Sequence, residues 1–118
     1  MEKARMNRSE SQWQQLDMFR PAKDFKNTSN IDVEYEHMTD PSKDKNTIKK
    51  EHADYKVDAA KKSGLYESIK SDGVKKPVFI AHSKRFGEMV SDGGHRVAAA
   101  TDINPNMLVP VEHSENVP

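Results

Sequence analysis

The sequence predicts an α+β domain: a mixed sheet with short helices, preceded by a flexible N-terminal arm. Three observations predict it. Residues 77–92 read as two short apolar strands joined by a turn. Three segments before and after that pair carry helical spacing and stop signals. Residues 1–30 are rich in Gln, Asn, Ser, Lys and Arg and show no long apolar period.

The arm, residues 1–30, closes with "KNTSN", and the domain is expected over residues 31–118. In "IDVEYEHM" (31–38), Ile31, Val33 and Tyr35 alternate with Asp32, Glu34 and Glu36. A period of two predicts a half-buried strand. "TDPSKDKN" follows as a loop. Residues 47–62 predict an exposed helix with a weak apolar face of Ile48, Tyr55 and Ala59, broken at Gly64. A second short helix runs over 65–73, with Leu65 and Ile69 one turn apart and Gly73 suited to its end. Pro77 opens the strand "PVFIAH", "SKRFG" turns the chain, and "EMVSD" returns as the hairpin partner. Gly93-Gly94 then bends the chain into the helix "HRVAAATDI", which stops at Asn104-Pro105. "MLVPVEH" (107–113) is the last strand, and Pro110 predicts an edge position or a bulge.

At 118 residues the chain has room for one small core. It is 34% apolar and 32% charged, too polar for every residue to pack inside. No apolar run reaches the roughly 20 residues that span a bilayer, and no signal peptide is evident. There is no cysteine, so disulfides and thiolate chemistry are excluded. A cytoplasmic protein with no membrane partner is expected, in the host cytoplasm if phage-encoded. The charge is uneven. Residues 43–85 carry twelve Lys/Arg against six Asp/Glu, between two acidic flanks. A solvated lysine-rich face explains that surplus, and so does a surface that meets phosphate groups.

The stretch "SDGGHRVAAAT" (91–101) carries the chemistry. The first N–H groups of a helix lack intrahelical partners and bear partial positive charge. Glycine lets an anion approach them. Arg96 opposes the helix dipole when nothing is bound, whereas a bound phosphate would take a bidentate, charge-assisted pair from it. Gly93, Gly94, His95 and Arg96 are therefore the candidate phosphate-binding residues. The plainer alternative is a tight turn, with Arg96 bridging to Asp92.

The order of these pieces resembles the ParB/sulfiredoxin-like domain, also called ParB-like nuclease. Ser68-Ile69 to Gly73, Pro77-Val78, Asp92-Gly93-Gly94-His95-Arg96, Ala98-Ala99-Ala100 and Val109-Pro110-Val111 match its pattern in order. The resemblance covers roughly residues 65–113, and more loosely 31–113. It implies nucleotide phosphate on the Gly93–Arg96 turn, with DNA, a nucleotide or a nucleoside triphosphate as partner. Gly94 stands where sulfiredoxins carry cysteine, which excludes sulfinate reduction through a thiol. The Glu-Arg-Arg form of the partitioning proteins is absent, and no helix-turn-helix stretch follows, so neither a CTP-driven clamp cycle nor centromere reading is expected.

A metal-dependent nuclease needs carboxylates for a divalent cation and a base for water. Asp92, His95 and Arg96 are the candidate catalytic residues. Asp92 and Glu88, four apart on one strand, are the candidate Mg²⁺ ligands. Asp92 as a turn or helix cap is the competing reading. His37, His52, His82 and His113 have no zinc-like spacing and read as surface residues.

Within the arm, Gln15-Leu16-Asp17-Met18-Phe19 resembles the pentapeptide by which polymerases and repair proteins dock on the bacterial sliding clamp. Leu16 and Phe19 would fill an apolar groove, with Gln15 at its rim. An amphipathic helix of Trp13, Leu16 and Phe19 packed on the domain is the alternative. Two functions follow: a clamp-recruited nuclease or nucleotide hydrolase, or a non-catalytic phage- or plasmid-borne binding protein.

Overall fold

The structure, a computed structural model, describes residues 17–117. It is an α+β fold with a four-stranded mixed sheet. In chain order the elements are β1 (Phe19–Pro21), a 3-10 helix (Ala22–Asn27), α1 (Ile31–Thr39), α2 (Lys45–Ser63) and α3 (Leu65–Asp72). They continue with β2 (Val78–Ser83), β3 (Gly87–Asp92), α4 (Gly94–Ile103) and β4 (Leu108–Val117). The strand order is β1-β4-β2-β3. β4 runs antiparallel to β1 and parallel to β2, and β2–β3 is the expected antiparallel hairpin.

Four sequence expectations change. The segment 31–38 is helical. Asn30 caps it, with Oδ1 accepting from Asp32 N–H at 2.8 Å and Val33 N–H at 3.4 Å. Asp32 and Glu34 in the first turn favour the dipole. Ile31 and Tyr35 are four apart, a spacing that fits both periods, and both side chains are exposed on α1 while Val33 is buried. The apolar face of α2 is also different. Tyr55 is 71% exposed, whereas Ile48 and Ala60 are buried. The line from Ile48 to Ala60 in steps of four passes through His52 and Lys56, both partly buried.

The third change concerns β4, which lies inside the sheet rather than at its edge. Val111 N–H donates to Met18 O at 2.9 Å, on the β1 side. By alternation the Pro110 nitrogen faces the β2 side, one residue before that ladder begins at Val78–Val111. The missing donor costs no ladder bond there.

The fold also begins before residue 31. β1 lines one edge of the sheet, and on the opposite edge Ser29 pairs with β3. Ser29 N–H donates to Glu88 O at 2.8 Å, and Val90 N–H donates to Ser29 O at 2.9 Å. Between these contacts Ala22 and Phe25 enter the core beside Ile69, Val78, Ile80, Ala99, Ala100 and Val109.

Candidate functional site

The Gly-Gly bend sits where β3 hands over to α4. Gly93 has φ +105°, a left-handed conformation that favours glycine. Close packing also requires it, since a Cβ there would lie 3.0 Å from Arg96 Nη2 and 3.2 Å from Val78 Cα. Gly93 O accepts the first helical bond, from Val97 N–H at 3.0 Å. The amides of Gly94, His95 and Arg96 precede that bond and have no carbonyl within the helix. Ala98, Ala99 and Ala100 are buried and let α4 lie close to the sheet.

A cation already stands at this turn, and it comes from another helix. A Cβ on Gly94 would lie 2.8 Å from Lys56 Nζ. Lys56 is half-buried on α2 and makes no ion pair or hydrogen bond among the described residues. Burial lowers its pKa, and the more distant Asp32 offsets that only in part.

Lys56 and Gly94 line one wall of a cavity of about 460 Å³. That volume falls in the range of small-molecule sites. Phe25, Val33, Val57, Val90, Val97 and Ala98 supply apolar walls. Lys23, Lys26 and Lys49 bring three further cations. The two acids in the lining are engaged elsewhere. Asp54 pairs with Lys50 at 2.9 Å, and Asp102 accepts from Tyr66 Oη–H at 2.7 Å.

The other sequence candidates lie around this turn rather than in the cavity. Arg96 folds back over Gly93, and its Nη2 donates to Pro77 O at 2.9 Å, 3.8 Å from Asp92 Oδ2. It fastens the first turn of α4 to the start of β2, while its buried Nε has no hydrogen-bond partner among the described residues. Asp92 and His95 are exposed. The pairing of Asp92 with Glu88 does not form. Ile80 pairs with Val90 but Phe79 pairs with Asp92, so Ser91 is an extra residue that breaks the alternation. Glu88 instead faces Arg20. Arg20 Nη1 donates to Oε1 at 2.7 Å and Nη2 to Oε2 at 3.0 Å. Glu88 lies opposite His82 and Asp92 opposite Phe79, so the two carboxylates stand on opposite faces of the sheet and do not fit a shared Mg²⁺.

The histidines divide. His52 bonds Glu36 Oε1 at 2.8 Å near the surface. His82 and His113 are not surface residues: His82 is 8% exposed, and the His113 side chain 6%. They stack on each other, with His82 Nε2 2.9 Å from His113 Nδ1.

Of the clamp-like peptide, Gln15 and Leu16 lie outside the described residues. Asp17 bonds Arg20 and His113. Met18 and Phe19 are exposed, although Phe19 belongs to β1.

Lys56 escaped notice because a lysine in a lysine-rich helix reads as solvated. The available signal was its place on the Ile48–Ala60 line. The fold and site together define an α+β domain with a basic, apolar-walled cavity at a helix N-terminus. No family model, curated protein or solved structure matches the chain.

Proposed function

We propose that the protein binds the phosphate of a nucleotide, free or within nucleic acid, at the first turn of α4. The observation that carries this reading is the Lys56 ammonium, half-buried against Gly94 and without an ion pair among the described residues. A buried cation is costly unless paired. An anion on the Gly94 and His95 amides supplies the missing charge. The apolar walls give a base or sugar a surface to cover, and Lys23 and Lys26 extend the positive field along a polyanion. Arg96 then acts as a positioning residue that holds the turn. The resemblance to ParB/sulfiredoxin-like domains points to the same turn and to a DNA-associated role in the cytoplasm.

The test is calorimetric titration of the full chain with inorganic phosphate, pyrophosphate and nucleoside triphosphates. Lys56→Met is expected to weaken binding about ten- to hundredfold, the loss of one charge-assisted contact. The unliganded variant should be at least as stable as the parent, because it no longer buries an unpaired ammonium. Gly94→Ala should fold as well, since its methyl meets only the mobile end of Lys56, yet bind more weakly. Failure of all three probes to bind the parent protein removes the proposal.

Exposure of Met18 and Phe19 favours a second role for the same chain, docking on the sliding clamp. Purified clamp titrated with the full chain should bind the parent and not Phe19→Ala. Equal binding of the two, or none, rejects docking.

A further inference from the structure

We infer a zinc site at His82, Glu88 and His113, independent of the phosphate reading. The register builds it. His82 on β2 lies directly opposite Glu88 on β3, and His113 on β4 lies opposite Ile80, one pleat from His82. All three side chains thus stand on the sheet face that carries Val78, Ile80 and Val111. One ligand atom from each lies within 4.8 Å of the others.

The donor set is two imidazoles and a carboxylate, which suits Zn²⁺ and not Mg²⁺. Tetrahedral ligands about 2.0–2.1 Å from zinc are about 3.3 Å apart. The 2.9 Å between His82 Nε2 and His113 Nδ1 needs to open by only a few tenths of an ångström.

The surroundings orient the ligands. His113 Nε2 donates to Asp17 Oδ1 at 2.8 Å, which leaves the lone pair on Nδ1, the atom facing His82. A carboxylate behind a histidine is the usual outer support of a metal-bound imidazole. Without metal, His82 Nε2–H donates to that lone pair. With zinc bound, His82 carries its single proton on Nδ1, and both facing nitrogens become ligands. Arg20 holds Glu88 and Asp17 at once, donating from Nε to Asp17 Oδ2 at 2.7 Å. A carboxylate has about four lone-pair sites, so the guanidinium leaves Glu88 capacity for a metal. Two carboxylates and one guanidinium sum to a single negative charge, which favours a cation. A water completes the fourth position.

The experiment is titration of chelator-stripped full-length protein with Co²⁺ and then Zn²⁺. One equivalent of Co²⁺ should give the intense visible bands of a tetrahedral site, and one equivalent of Zn²⁺ should abolish them. Asp17→Asn is expected to weaken Zn²⁺ binding about 10–100-fold, and Glu88→Gln to remove the Co²⁺ bands. Lys56→Met should bind as the parent does, which separates this site from the phosphate cavity. Absence of the bands and of stoichiometric Zn²⁺ uptake in the parent protein overturns the inference, and needs no variant that risks unfolding. Uptake unchanged in both Asp17→Asn and Glu88→Gln also overturns it, since the metal would then sit on surface histidines.

Discussion

Arg20 shows how one side chain can organise a region. It donates to Asp17 and Glu88 and lies 5.3 Å over the Phe25 ring. Its bond to Glu88 raises its pKa, despite the burial that opposes it. The same bond lowers the Glu88 pKa. For Asp17, burial pushes upward but the bonds from Arg20 and His113 outweigh it. Depressed carboxylates stabilise the fold fully above their ordinary values near pH 4, and that stability is lost as pH falls through the lowered values. Arg20→Met should therefore lower the melting temperature markedly at pH 7 and much less at pH 2–3. A shift equal at both pH values would mean that Arg20 contributes only packing. At Gly93 the issue is backbone conformation. Gly93→Ala should cost about 1–2 kcal/mol from φ alone, with more from the Val78 contact. Denaturant unfolding measures it, and a neutral result would show that the turn relaxes.

Single caps and breaks decide the elements. Asn30 satisfies two amides of α1, so Asn30→Ala should cost about 1 kcal/mol in denaturant unfolding. An unchanged midpoint would mean that packing alone holds the helix. The hairpin, α3 and α4 were legible because their signals are local: Pro77, the turn at 84–86, Gly73 and Gly93-Gly94. α1 was not, because a four-residue recurrence satisfies a strand and a helix alike, and only the cap separates them. The bulge at Ser91 had no local signal, and it separates Glu88 from Asp92. Lys56 was hidden for a related reason, because its value depends on Gly94, a neighbour 38 positions along the chain.

Across the whole molecule, what sequence reasoning missed lies in contacts between distant segments. His113 meets Asp17 at a separation of 96 residues, and Arg20 meets Glu88 at 68. Composition marks residues 17–30 as part of a polar arm, yet they hold both margins of the sheet. That arrangement sets the smallest piece able to fold. Protein trimmed to residues 31–118 would present two bare rows of backbone donors and acceptors, and strands so exposed recruit one another. Such a fragment should elute as polymers in size-exclusion chromatography, while one trimmed only to residue 17 stays monodisperse. Inheritance of this domain by another chain would therefore have to bring its apparent leader along, since that stretch works as a hem.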